Sequence, residues 1–228
     1  MSPLSIELQS MKLPTDGRAA AALLNRGCVC VSVDREALRR ALGEVPATNA
    51  AADRTALSST HLFSDTAVFV AEAHLRSMAG LIESIERVIR LPGWRERVFS
   101  WAPSIARYTP KAAGVFLGYD FHLGEHGPQL IEINTNAGGA LLNAKLLHAQ
   151  RACCASATPP FPEQTQVEAD FIAMFHEEWR LARTDAPLRC IAIVDQAPEE
   201  QFLAPEFELF RRLFESHGIR ALVLDPAE

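Results

Sequence analysis

The chain has 228 residues, 48% of them apolar, enough for a packed core in one or two domains. Its formal net charge of −6, with no lysine or arginine run, argues against nucleic acid as a partner. No apolar run has the length to span a membrane and no signal-peptide core follows the N-terminus. The five cysteines, Cys28, Cys30, Cys153, Cys154 and Cys190, form no C-x-x-C pair, so the expected location is the reducing cytoplasm.

Residues 17–27 predict a helix, and CVCVSV at 28–33 predicts a buried strand. Asp34 is a plausible N-cap for the helix REALRRAL, which Gly43 stops. Residues 46–58, rich in Ala, Thr and Asn, predict a surface loop. A long helix is expected from about Ser64 to Arg90, with Val68, Ala71, Leu75, Met78, Ile82, Ile85 and Ile89 as its core stripe. Leu91-Pro92-Gly93 ends it.

Residues 114–144 carry the densest functional signal. VFLGYDFHL and QLIEIN flank the turn-rich GEHGP, which predicts a β-hairpin. Period-two alternation puts Leu117, Tyr119, Phe121 and Leu123 on one face, joined by Ile131 and Ile133. Gly118, Asp120, His122, Glu132 and Asn134 take the other. In the simplest register Asp120 lies across from Glu132. At about 5 Å and an effective dielectric of about 20, two carboxylates repel by ~3 kcal/mol. A cation between them turns that cost into binding. Two carboxylates and an amide carbonyl are hard oxygen donors, suited to Mg²⁺ or Mn²⁺ rather than zinc. A solvated hairpin with ordinary surface acids is the alternative.

After Asn134 the chain reads Thr135, Asn136, Ala137, Gly138, Gly139, followed by leucines at helical spacing. A strand, a glycine turn and a helix start present backbone N–H groups to an anion. Asn136, Gly138 and Gly139 are therefore candidate substrate contacts, with a plain strand-to-helix turn as the alternative. No G-x-G-x-x-G and no G-x-x-x-x-G-K-[ST] occurs in the sequence.

ASATPPFPEQ at 155–164 marks the expected domain boundary, because its prolines exclude helix. VEADFIAMFHEEWRLAR at 167–183 predicts a helix with Phe171, Phe175 and Trp179 on one stripe. Residues 189–225 read as β–α–β, with Pro205 opening the helix and Gly218 closing it. Asp225-Pro226-Ala227-Glu228 has the pattern of a fresh helix start, which predicts further chain beyond residue 228.

The D-F strand, the hairpin and the LIEINTN strand resemble the metal-binding hairpin of the ATP-grasp ligases. The likeness is closest to circularly permuted members such as the glutathionylspermidine synthases. Those carry an R-x-D-F strand and an E-x-N strand after a Trp-containing segment, here represented by Trp101 and Pro103. The specific resemblance covers about thirty residues and a looser one extends to about residue 225. It implies that Asp120, Glu132 and Asn134 are magnesium ligands. It also implies an arginine two residues before the aspartate, where this chain has Gly118; Arg107 and Lys111 are candidates to replace it.

The fold class implied is α/β (α+β). An ATP-grasp-like antiparallel sheet with helices and the metal hairpin would occupy residues 1–156. A helix and a small, truncated β–α–β unit would occupy 157–228. The function implied is an ATP-dependent, ADP-forming ligase acting through an acyl phosphate, with Mg²⁺ (or Mn²⁺) and ATP. Its partners would be a small-molecule carboxylate and an amine or thiol, with no nucleic acid or membrane and with oligomer formation open. This chain alone is expected to be inactive, and the alternative is a non-catalytic ATP-grasp remnant that binds metal, ligand or protein.

Overall fold

A computed structural model describes residues 13–27, 33–43, 62–64, 66, 68–124, 126–149 and 164–227. The protein is mixed helix and strand, of the α+β kind, and its described residues form a small antiparallel and a small parallel sheet. It divides into two units, Met1–Cys28 with Val68–Asn136, and Val29–Ala67 with Ala137–Glu228. This partition differs from the expected boundary at 155–164. That segment, except Gln164, lies outside the described residues, as do most of the strand expected at 28–33, the loop expected at 46–58 and the cysteines other than Cys190.

In the first unit, α1 (Gly17–Gly27) and α3 (Glu72–Ile89) are separated in sequence by the excursion into the second. Asp16 accepts the N–H groups of Arg18 and Ala19, which fixes the start of α1. Near its end, Asn25 makes a two-pronged clamp on the backbone of Phe69. Its Nδ2 donates to the Phe69 carbonyl at 2.8 Å, and its Oδ1 accepts the Phe69 N–H at 2.7 Å. The clamp commits the Phe69 backbone groups before a helix can use them.

Helix α3 therefore begins at Glu72 and not near Ser64. Of the expected core stripe, Ala71 is buried and Met78, Ile82 and Ile85 are half-buried, while Val68 and Leu75 are 71% and 52% exposed. Pro92 ends α3 as expected but also occupies the first turn of a further helix, α4 (Pro92–Phe99), a role its fixed φ suits. A 3₁₀ turn at Ser104–Arg107 follows. Arg95 and Arg107 both lie over the ring of Phe99, at 5.6 and 5.2 Å from its centroid.

The hairpin of β1 (Gly118–Gly124) and β2 (Gly127–Asn134) completes this unit. It is anchored to α3 by Tyr119, whose hydroxyl donates to Glu86 Oε1 at 3.0 Å. Loss of water contact, and then the Glu86 carboxylate, hold that phenol above its usual range.

In the second unit, α2 (Arg35–Gly43) starts at Asp34 as expected. Asp34 Oδ1 accepts the N–H groups of Glu36 and Ala37 at 3.0 Å. Leu38 and Val33 pack with Ala149 at the end of α5 (Ala140–Ala149). Helix α6 (Gln164–Arg183) and helix α7 (Ala204–Ser216) meet through four phenylalanines. Phe175 stands edge-on to Phe214 with centroids 4.9 Å apart, and Phe171 lies 6.1 Å from Phe210. Trp179 continues the stripe of Phe171 and Phe175 but serves the helix end, donating its Nε1 to the Ala186 carbonyl. Lys145 of α5 and Glu168 of α6 form a largely covered ion pair at 2.7 Å.

The β–α–β unit has the expected form. Strands β3 (Cys190–Val194) and β4 (Arg220–Leu224) pair in parallel, with α7 as the crossover. Ile219 and Ala221, which follow α7, are buried, as is Phe214 within it. Beyond β3, Ala197 adopts a left-handed backbone with φ of 44°, and Asp225 Oδ2 accepts its N–H at 2.7 Å. Among the described residues no helix is long and apolar enough to cross a membrane.

Candidate functional site

The hairpin register places Asp120 directly across from Glu132, Tyr119 across from Ile133 and Gly118 across from Asn134. Asn134 Nδ2 donates to Asp120 Oδ2 at 3.4 Å, so these two side chains meet across the strands. Asp120 and Glu132 are exposed and Asn134 is half-buried. The strands thus bring two carboxylates and an amide to neighbouring positions on one face, the arrangement that alternation predicts.

The register then shifts between Asp120 and Phe121, which pairs with Leu130. Ile131 is the extra residue of a β-bulge and is 67% exposed. The expected place of Ile131 on the apolar face is taken by Leu130. The cause is legible in the sequence QLIEIN. Leu130 and Ile131 are adjacent apolar residues, and strict alternation can bury only one of them. The bulge lets Leu130, with Phe121 and Leu123, share a face with Tyr119 and Ile133 while leaving Asp120 opposite Glu132. His122 then falls opposite Gln129 on the polar face.

Hard oxygen donors are what Mg²⁺ or Mn²⁺ takes, so the residue types fit such an ion. They supply only part of a coordination shell. Among the described residues no group of three or more His, Cys, Asp or Glu side chains is placed to hold a metal. An ion here needs water or ligand oxygens to complete it. Two surface hollows, of about 340 and 230 Å³, lie elsewhere: one lined by α5 and Val167, the other by Trp94, Phe99 and Tyr108.

Of the candidate substrate residues, Asn136 is exposed and ends the first unit, whereas Gly138 and Gly139 belong to the second. Gly139 has φ of 91°, a conformation that explains its identity. A Cβ on Gly138 would collide with Leu203 Cδ1 at 2.3 Å. Three of the N–H groups at this turn are already engaged. Glu206, only 3% exposed, accepts the N–H of Gly139 and that of Leu141 at 2.8 Å, with Leu142 at 3.4 Å. A carboxylate does bind at the glycine turn, as the dipole and free N–H groups favour, and it is the chain's own. Sequence reasoning missed Glu206. Its only signal was an acid in the first turn of a helix after Pro205, which is commonplace.

The two candidate replacements for the missing arginine differ. Arg107 lies over Phe99 and donates to the Phe99 carbonyl at 3.0 Å, which commits its guanidinium there. Lys111 is exposed in the segment leading to β1.

The chain matches no family model, no curated protein and no solved structure.

Proposed function

We propose that the polar face of the hairpin binds a divalent cation together with a phosphate-bearing ligand, as part of an ATP-grasp-like, ATP-dependent carboxylate–amine or carboxylate–thiol ligase. The observation that supports this reading is the meeting of Asn134 with Asp120, itself the cross-strand partner of Glu132. In that role Asp120 and Glu132 hold Mg²⁺ or Mn²⁺ by charge, and Asn134 adds an amide oxygen. The ion neutralises phosphate charge and orients phosphoryl transfer to a carboxylate. An ion between Asp120 and Glu132 would relieve their mutual repulsion, and phosphate oxygens would complete its shell.

A second reading is a non-catalytic ATP-grasp remnant that binds metal, ligand or a protein partner. Glu206 favours it, because that carboxylate fills the N–H groups an incoming substrate anion would use. Gly118 favours it too, since no guanidinium stands across from Asn134.

The deciding experiment has two parts. Mn²⁺ binding is measured by calorimetry or electron paramagnetic resonance, with and without ATP, for wild type, Asp120→Ala and Glu132→Ala. Nucleotide-enhanced binding lost in both variants is expected, and equal binding by all three rejects the site. ADP release is then followed with Mg²⁺, ATP and a panel of amino acids, amines and thiols. No turnover by this chain is expected. Substrate-dependent ADP release abolished by Asp120→Ala would instead make the chain a working ligase.

A further inference from the structure

Among the described residues the sheet of the second unit has two strands, below the four to six of most sheets. Parallel strands are ordinarily buried on both faces. Here α7 covers one face, towards which Ile191 and Ile193 are half-buried, while Cys190, Ala192 and Val194 are exposed on the other. Val194 is 56% exposed. Among the described residues no strand pairs with the outer edge of β3. Edges left in water are usually protected by lysine, proline or a bulge. The strand Cys-Ile-Ala-Ile-Val has no lysine and no proline, and its ladder with β4 is unbroken by a bulge.

The residues that bracket this strand indicate what pairs with it. Arg189 precedes it and Asp195 follows it. A second copy of β3 laid antiparallel along the edge, with the two-fold axis at Ala192, sets Arg189 against Asp195 twice. It sets Cys190 against Val194, and Ile191 against Ile193. Directly opposed residues share a face, so both copies keep Ile191 and Ile193 on the α7 side and Cys190, Ala192 and Val194 on the other. A slip of one residue loses this agreement of faces and also the charge pairing.

We propose that the outer edge of β3 is a homodimer interface, where two copies of the chain join their sheets antiparallel into one of four strands, ordered β4–β3–β3–β4. The interface is isologous, as two-fold symmetry requires, and each opposite-charge pair occurs twice. Backbone hydrogen bonds supply the attachment, and Arg189 and Asp195 set direction and register.

The test uses the full chain. Val194→Cys is added and the protein is mildly oxidised beside wild type. Positions 190 and 194 of one strand are about 13 Å apart, beyond disulfide reach within a chain. The expected product is a covalent dimer whose mapped linkage joins Cys190 of one copy to position 194 of the other. Sedimentation across a wide concentration range is expected to show a reversible dimer in wild type. Arg189→Glu should weaken it at least about tenfold, and adding Asp195→Arg should restore it, since the first change makes two like-charge contacts and the second removes both. A wild-type monomer throughout, a dimer indifferent to Arg189→Glu, or a linkage that omits Cys190 would overturn the proposal. If the charge-swapped protein does not fold by circular dichroism, the linkage and the Arg189→Glu measurement still decide.

Discussion

Asn134 donates its side-chain amide to Asp120 across the hairpin, at 3.4 Å. The contact relieves part of the charge crowding that Glu132 creates opposite Asp120. Coordination of a cation by Asn134 needs its oxygen, not its NH₂, turned inward.

Replacing that amide is therefore diagnostic. Asn134→Asp assembles three carboxylates and should lower stability by ~1 kcal/mol at neutral pH, a typical cost of like charges on a sheet. The deficit should shrink at high ionic strength, because salt screens exposed charges. Mn²⁺ should also reverse it. Thermal melts at several salt concentrations, with and without Mn²⁺, check this, and a deficit insensitive to both would point to lost packing instead.

Glu206 binds the start of α5 from α7, and removing it leaves buried donors unmet. Glu206→Ala should destabilise the second unit by ~2–4 kcal/mol, the sum of lost charge-assisted bonds and unsatisfied N–H groups. Glu206→Gln keeps one acceptor and should cost less. Urea unfolding gives both values, and an unchanged midpoint for the alanine variant would show that water replaces the carboxylate freely.

Asp225 closes the turn after β4. The N–H of Ala227, and then that of Ala197, hold its carboxyl below the usual range. A depressed folded pKa contributes stability above the unfolded value of about 3.9 and loses it as pH falls through the folded value. Wild type should thus lose stability on the acid side, below about pH 4. Asp225→Asn should be less stable at neutral pH and show a shallower acid decline. Parallel acid limbs in the two proteins would contradict the assignment.

Gly118→Arg puts a guanidinium opposite Asn134. If the face receives phosphate, affinity for Mn²⁺-nucleotide should rise about tenfold, the scale of one hydrogen bond to a charged group at ~1.5 kcal/mol. The gain should vanish in the Asp120→Ala background. Calorimetric titration reads it directly, and a weaker complex would mean that the added charge opposes the metal more than it aids the phosphate.

Much of this architecture was legible because it depends on neighbours in sequence. The Asp34 cap, the pairing of Asp120 with Glu132, and the β–α–β unit all follow from local period and turn chemistry. The misses have distant causes. The start of α3 is set by Asn25, 44 residues before Phe69. The engagement of Gly139 is set by Glu206, 67 residues after it. The bulge at Ile131 lay between these extremes: two adjacent apolar residues signalled a conflict without showing which would yield.

The clamp from Asn25 to Phe69 joins two stretches of one unit across chain that belongs to the other. The polypeptide therefore changes units three times, after Cys28, Ala67 and Asn136. Neither unit corresponds to a contiguous stretch of gene. A fragment cut at Asn136 carries the metal-site candidates but strands residues 29–67 without their partners, and the complementary fragment lacks that same piece. During synthesis Val33 and Leu38 wait for Ala149, their core partner from beyond the whole 68–136 stretch of the other unit, so the segment of the second unit made first stays unpaired while that stretch emerges.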